Sequence, residues 1–167
     1  MKRFFYILLL LTVTVLSPSA AEQFVSFTET SNGFPLLSPK DHSFTILCSG
    51  EDEHKGVLTA IDNLRADFEK VCGVKPEKAN NTADNVKIII GSIDNSPIIK
   101  QLIKAKKLDA NLLKGKNEKY IITTLHSPLK GIEGDVLLIA GSDKRGTIYG
   151  IYELSKQMGI SPWYWWA

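Results

Sequence analysis

Three apolar segments are each followed by a small flexible step, an acidic residue and a helical pattern. The segments begin at Phe44, Val86 and Val136, and the acidic residues that follow are Asp52, Asp94 and Asp143. Short β-branched runs of this kind are typical of buried strands, and strands that alternate with helices pack into layers. The sequence therefore predicts an α/β fold in which helices pack on a mixed β-sheet.

The helical patterns have clear limits. In the first, apolar residues recur at spacings of four and three and form one stripe, and Gly73 follows as a terminator. Ser96-Pro97 supplies an N-cap and a first-turn proline for the second, and Lys144 to Met158 forms the third, ended by Gly159. The predicted core-facing residues are Val57, Ile61, Leu64, Phe68 and Val71 in the first helix and Ile98, Leu102 and Ile103 in the second.

Three further elements are predicted. Phe24 to Phe27 alternates as a short strand does, and residues 104–115 indicate a short helix closed by Gly115. The strands 120–125 and 136–140 are joined by about ten residues, which is too few for a helical crossover. We therefore expect these two strands to pair antiparallel.

The first 21 residues have the pattern of a secretory signal. Lys2 and Arg3 precede an apolar run from Phe4 to Leu16, and small residues follow up to Ala21. The run is shorter than the roughly 20 residues that span a bilayer, so cleavage is expected rather than anchoring. The sequence predicts an exported protein, periplasmic or extracellular, with no membrane association after cleavage.

Charge excludes one class of partner. Removal of 21 of the 167 residues leaves 146, with 18 of the 20 basic residues and all 18 acidic ones. Such a balanced composition gives no support for nucleic-acid binding. A chain of this length predicts one domain of ordinary size.

Two cysteines are present, Cys48 and Cys72. The first is predicted to end a strand and the second to end the following helix, so the helix separates them by roughly 25 Å. A disulfide requires Cα atoms within about 7 Å. We therefore expect two free, buried, apolar cysteines.

The acidic residues at the three joints have two interpretations. Asp52, Asp94 and Asp143 would lie along one edge of the sheet and could form a metal or catalytic cluster. A carboxylate at a helix start also caps free N–H groups and stabilises the helix by about 1 kcal/mol without any further function. The position of each residue favours the cap.

Other patterns for cofactor binding are incomplete. Residues 141–147 resemble a phosphate-binding loop but lack the lysine after the second glycine, and His42, His54 and His126 have no metal-ligand spacing. No metal and no cofactor are predicted. Gly146 and Gly150 lie four residues apart on one helix face and are expected to let the third helix approach the sheet closely.

The last seven residues, 161–167, contain every tryptophan of the chain. These aromatic side chains could fold back as an edge strand, form a platform on which sugar rings stack, or begin a second domain. Four adjacent aromatic side chains favour an interface, since exposed apolar patches usually mark one. The candidates for a carbohydrate or domain-interface site are Trp163, Tyr164, Trp165 and Trp166, and no catalytic residue is predicted.

The segments 141–155 and 159–167 closely resemble the N-terminal domain of glycoside hydrolase family 115, the xylan α-1,2-glucuronidases. The resemblance is specific over residues 136–167 and weaker, but consistent in element order, over 44–125. It implies an α/β fold like the non-catalytic domain that precedes the barrel in hexosaminidase-like glycoside hydrolases. After the signal peptide at 1–21, the resemblance implies an accessory domain at 22–160 and, at 161–167, the start of the linker or first strand of a catalytic (β/α)₈ barrel.

The same resemblance implies an activity and partners for the longer protein. Family 115 enzymes release glucuronic acid, often 4-O-methylated, from glucuronoxylan with inversion, and they act as dimers. Inversion uses an acid and a base about 6.5 to 9.5 Å apart, and both would lie in the barrel. The expected partners are the barrel itself, glucuronoxylan through that barrel, and a second copy of the enzyme. The alternative is a free-standing carbohydrate-binding module that uses the terminal tryptophans.

Overall fold

A five-stranded mixed sheet forms the centre of the molecule. The computed structural model describes residues 23–28, 30–31, 33–37, 42–81 and 83–161. The strands are β1 (Thr45–Leu47), β2 (Glu77–Ala79), β3 (Val86–Ser92), β4 (Tyr120–His126) and β5 (Asp135–Gly141), in the order β2-β1-β3-β5-β4. Neighbouring strands are parallel except β4, which pairs antiparallel with β5. The predicted α/β class and the predicted antiparallel pair are confirmed.

Three helices cover the two faces of the sheet. Helices α1 (Lys55–Cys72) and α3 (Lys144–Gln157) pack side by side on one face, and α2 (Pro97–Lys104) packs on the other. Successive side chains of a strand point to opposite faces. Accordingly Ile88 and Ile90 contact the core beneath α1 and α3, and Ile89 contacts the core beneath α2. The result is a three-layer arrangement with two apolar cores.

The predicted stripe of α1 is confirmed. Val57, Ile61, Leu64 and Phe68 are fully buried, and Val71 packs against the same core. Gly73 ends the helix in the left-handed conformation at φ 70° and donates its N–H to the Glu69 carbonyl. The four-and-three spacing therefore located the buried face of this helix, and Gly73 located its end.

The prediction of a strand at 24–27 is wrong. Phe24 and Phe27 are 49% and 66% exposed, and the Phe24 N–H donates to the Gln157 side chain rather than to a strand. The edge of the sheet beside β1 is instead occupied by β2, a charged three-residue strand that the sequence pattern did not indicate. The charged side chains of β2 do not favour a strand, and β2 is formed by its parallel pairing with β1.

The segment between α2 and β4 contains one 3₁₀ turn rather than the predicted short helix. The turn covers Ala110–Leu112, and the Asp109 carboxylate caps it by accepting from the Asn111 N–H at 2.9 Å. Leu113 is buried while Leu112 is 48% exposed. Because only one of these two leucines is buried, a single 3₁₀ turn is sufficient to place it in the core, and no longer helix is needed.

The two cysteines are free, as expected. Cys48 directly follows β1 and is buried, whereas Cys72 ends α1 and is exposed. The prediction that both are buried is therefore wrong for Cys72. The apolar stripe of α1 passes through Val71 and leaves the next residue on the outer side.

Some predictions lie outside the described residues. The proposed signal peptide at 1–21 and the aromatic residues Trp163, Tyr164, Trp165 and Trp166 are among them. Among the helices that the structure describes, none combines the length and the apolar character required to cross a bilayer.

Candidate functional site at the carboxyl edge of the sheet

The carboxyl ends of β1, β3 and β5 meet at one edge of the sheet, which is where open α/β proteins usually bind ligands. Each of these strands leads into a turn and then a helix, so the joints predicted from the sequence all lie here. The chemistry of this edge depends on what the polar side chains of the joints contact.

Asp143 is an N-cap, as predicted. Its Oδ1 accepts from the Gly146 N–H at 2.8 Å, and its Oδ2 accepts from the Glu118 N–H at 2.7 Å. Burial by itself raises the pKa of this carboxyl, but the hydrogen bonds from these N–H groups outweigh burial and hold the pKa below its usual value. The carboxylate thus joins the start of α3 to the chain just before β4.

The cap prediction is wrong for Asp52 and Asp94. Asp52 is exposed in a 3₁₀ turn, and α1 begins only after His54, with no side-chain cap. Helix α2 is capped by Ser96, whose Oγ accepts from the Ile99 N–H at 3.3 Å, and Asp94 is exposed before it. The acidic residues precede the helix starts by too many positions to reach the free N–H groups.

Glu53 is the buried carboxylate at this edge, and sequence reasoning did not identify it. It is 4% exposed, and its Oε2 accepts from the Ser92 N–H at 2.7 Å while its Oε1 accepts from the Ser92 hydroxyl at 2.8 Å. The His54 N–H also donates to Oε1 at 2.9 Å. Glu53 therefore ties the end of β3 to the start of α1. Three consecutive acidic residues, 51–53, gave no signal as to which one is buried.

A pair of serines continues this network. The hydroxyls of Ser49 and Ser96, which are both buried, lie 2.5 Å apart and connect the end of β1 to the cap of α2. Every strand-to-helix joint at this edge is thus fastened by an internal hydrogen bond. These groups stabilise the fold, and their hydrogen-bonding capacity is largely used within the domain.

The histidines do not form a metal site in the described part of the chain. His54 Nδ1 lies 3.5 Å from the Asn95 side chain, and its buried Nε2 has no partner there. His126 pairs with Asp135 at 2.8 Å across β4 and β5, and His42 is exposed. No group of three potential ligands is found among the described residues.

The loop at 141–147 uses its polar groups internally. The Gly146 N–H donates to Asp143, and the Thr147 hydroxyl donates to the Asp143 carbonyl at 2.8 Å. A Cβ on Gly146 would collide with the Lys119 carbonyl oxygen, and one on Gly150 would lie 2.8 Å from Ile139 Cγ2. The prediction that both glycines allow close packing is confirmed.

Two buried polar groups, one on α1 and one on α3, have no hydrogen-bond partner in the described residues. They are the Asp67 carboxylate and the Ser155 hydroxyl. Each lies about one turn beyond the Asn63 and Tyr152 side chains, which bond to each other at 2.9 Å. Asp67 is about 18 Å along α1 from its start, so it is remote from the carboxyl edge.

Comparison with solved structures defines the class of the domain. The solved structure of CpGH84D has the same fold, with a TM-score of 0.51 and 12% identity. The match covers 73% of this chain and 18% of CpGH84D. A family GH115 4-O-methyl-α-glucuronidase with specificity for decorated arabinogalactans is 34% identical, with a TM-score of 0.60, over 74% of this chain and 14% of its own. The fold is therefore that of an α/β domain carried by larger glycoside hydrolases.

The family follows from the sequence itself. The family described as glycosyl hydrolase family 67 N-terminus matches residues 40–154. The chain belongs to this family, and it is an N-terminal domain of the kind carried by glucuronidase-type glycoside hydrolases. No curated protein matches the sequence. The chain spans about one seventh of the length of the glucuronidase that it matches.

Proposed function

We propose that this chain is the N-terminal, non-catalytic domain of an exported family 115-type α-glucuronidase. The enzyme would remove glucuronic acid, often 4-O-methylated, from glucuronoxylan with inversion at the anomeric carbon. The observation that carries the proposal is the 34% identity over 74% of this chain to a family GH115 4-O-methyl-α-glucuronidase. Identity at this level extends the likeness beyond the fold.

The hydrogen bonds at the carboxyl edge are consistent with a supporting role. Glu53 is buried with both oxygens occupied, and Asp143 is held by backbone N–H groups. An inverting glycosidase needs one carboxyl group free to protonate the leaving oxygen and another free to activate water. In the proposed enzyme both belong to a barrel that follows this domain, and the domain stabilises and positions that barrel.

The test is an assay of the whole polypeptide that carries this domain. We expect release of 4-O-methylglucuronic acid from glucuronoxylan, with the inverted anomer appearing first by NMR, and no release by residues 1–167 alone. Decorated arabinogalactan serves as the second substrate because the similar glucuronidase is specific for it. Release from arabinogalactan alone would show that arabinogalactan, rather than glucuronoxylan, is the substrate. Release from neither polysaccharide would refute the proposal.

Export is tested separately. If residues 1–21 are a signal peptide, the protein recovered from the periplasm or medium begins at Glu22 by N-terminal sequencing. An uncleaved Met1 in the mature protein would contradict export by this route.

The alternative function is a free-standing carbohydrate-binding module. It is favoured by the position of all three tryptophans within residues 163–166, because aromatic rings stack on sugar rings. Titration with glucuronoxylan oligosaccharides would then change the tryptophan fluorescence. Unchanged fluorescence at millimolar oligosaccharide would exclude this role.

A further inference from the structure

One segment of the chain carries a strong local charge. Residues 100–119 contain seven lysines and two acidic residues, which leaves 13 of the 20 basic and 16 of the 18 acidic side chains elsewhere. The segment forms most of α2 and the connection to β4, and it covers the second face of the sheet. All seven side chains are exposed: Lys100, Lys104, Lys106, Lys107, Lys114, Lys116 and Lys119. We refer to them as the lysine surface.

The positive charge of the lysine surface is not neutralised within the described part of the chain, where none of the seven lysines forms an ion pair. Of the two acidic residues in the segment, Glu118 pairs with Arg145 at 2.9 Å and Asp109 caps the 3₁₀ turn. Lysines four residues apart on a helix are about 5 to 6 Å apart at Cβ. Lys100 and Lys104 have this spacing on α2, and it is shorter than the Debye length of about 10 Å at 0.1 M salt, so the fields of these two lysines add.

The fold does not require these charges. Helix α2 is held by its buried residues Ile98, Ile99 and Leu102, and the connection is held by Leu108 and Leu113. The lysines lie on the outer side of a segment that is already fixed by apolar contacts. A row of like charges on such a surface lowers stability slightly, so folding does not account for its presence.

An open depression adjoins the lysine surface. It has a volume of about 650 Å³ and is lined by Ala105 and by residues 126–134, which include Lys130 and Glu133. Lys107 reaches across to donate to the His126 carbonyl at 3.1 Å, and Lys104 and Lys106 flank Ala105. An open depression bordered by ammonium groups suits an extended anionic chain better than a small molecule, which usually binds in an enclosed pocket.

We propose that the lysine surface binds a polysaccharide that carries glucuronate side groups, and that it holds this polymer beside the catalytic domain. This inference rests on the proposed function, since the substrate of a glucuronidase carries a carboxylate at each decorated sugar. Exposed ammonium groups attract such carboxylates weakly and over several ångströms. The polymer can therefore slide and leave after its side groups have been removed.

The test uses affinity electrophoresis of the whole chain in native gels that contain polysaccharide. We expect glucuronoxylan to retard the protein, and we expect carboxyl-reduced glucuronoxylan, which is the same polymer without charge, to have no effect. Raising the salt from about 20 to about 200 mM should weaken the retardation, because screening acts on exposed charges. Retardation that survives carboxyl reduction would overturn the proposal.

Matched variants locate the site. K104E/K106E should weaken binding about five- to tenfold, as expected for exposed charge pairs. K55E/K70E makes the same change in net charge at two exposed positions of α1, on the opposite face of the sheet, and should retain the parent affinity. K104Q/K106Q should give a smaller loss and serves if reversal impairs folding, which circular dichroism reports. Equal losses in the two Glu variants would contradict the assignment of the surface.

Two further measurements separate this inference from the proposed function. If the whole polypeptide releases glucuronic acid and K104E/K106E binds glucuronoxylan as the parent does, the lysine surface has no such role and the proposed function stands. Heparin tests for a general polyanion site, and binding to heparin without binding to glucuronoxylan would overturn the inference. If binding requires the carboxylates of the polymer and the whole polypeptide has no glucuronidase activity, the binding role of the lysine surface is supported and the proposed enzymatic function is refuted.

Discussion

At the residue scale, buried carboxylates at this sheet edge are structural groups. Glu53 accepts three hydrogen bonds and connects β3 to α1, although nothing in the run 51–53 distinguishes it from its neighbours. Such a group has to be located in three dimensions, because two of its three hydrogen-bond donors belong to Ser92, which lies 39 positions away. Its value lies in satisfying backbone and hydroxyl groups that would otherwise be buried without partners.

Glu53→Gln should lower the free energy of unfolding by about 2 to 3 kcal/mol. The glutamine amide keeps one acceptor oxygen, but its NH₂ group faces Ser92 or His54 groups that are themselves donors. Each hydrogen bond to a charged acceptor is worth about 1.5 to 3 kcal/mol. Urea denaturation gives the value. Glu51→Gln, at an exposed neighbour, is the control and should lie within about 0.5 kcal/mol of the parent. Equal effects of the two substitutions would show that the hydrogen bonds between Glu53 and Ser92 do not stabilise the fold.

Asp143 should make stability depend on pH in the acid range. Its pKa in the folded protein is below the ordinary value of about 3.9. Its contribution is therefore fully present above that ordinary value and is lost as the pH falls through the folded pKa. Asp143→Asn, which keeps one acceptor oxygen, should show a smaller loss of stability between about pH 5 and pH 2.

The comparison of these two proteins isolates Asp143 from other carboxylates. Asp62 also has a lowered pKa, since the hydrogen bonds from Lys78 and Arg65 outweigh its burial, and it titrates in the same range. Because Asp62 is present in both proteins, only the difference between their stability curves reports on Asp143. Parallel curves would show that Asp143 does not contribute.

At the element scale, the fold depends on how closely α3 approaches the sheet. Gly146 faces the chain before β4, and Gly150 faces β5 and Tyr120. Side chains at these positions would push the helix outward and open the core that α1 and α3 share. The sequence spacing was sufficient to predict this packing because two glycines on one helix face have few other uses.

The same substitution at two glycines should have opposite effects. Gly146→Ala places a methyl group against the Lys119 carbonyl and should lower stability by about 1 to 3 kcal/mol. In Gly56→Ala the methyl group lies 3.4 Å from Ile148 Cδ1, and alanine favours the helix by up to about 1 kcal/mol. Thermal unfolding of both variants checks the signs. A loss at Gly56 equal to that at Gly146 would refute the close approach.

At the scale of the whole molecule, the two cysteines report on global opening. Cys48 is buried after β1, and Cys72 is exposed at the end of α1. In the native protein a thiol reagent should modify one cysteine, Cys72, and Cys48 should react only as fast as the molecule unfolds. Burial raises the pKa of both thiols, so both should react more slowly than a free thiol at the same pH. Cys72→Ser should abolish the fast reaction, and rapid loss of two thiols would contradict the packing of β1.

The sequence by itself determined the class of fold, the three helices, the antiparallel pair and the cap at Asp143. These depend on local spacing: apolar periodicity, glycines at helix ends, and a connection too short for a crossover. Asp143 lies directly before its helix, so its role as a cap is also local.

Only the tertiary structure decided the remaining features. β2 pairs because β1 offers a free edge, although the sequence of β2 is charged. Glu53 rather than Asp52 is buried because Ser92, on another strand, presents its donors there. The lysine surface is uncompensated because the fold places its acidic neighbours in other contacts. The pairing of β2 and the burial of Glu53 depend on partners distant in sequence, and local patterns carry no information about such partners.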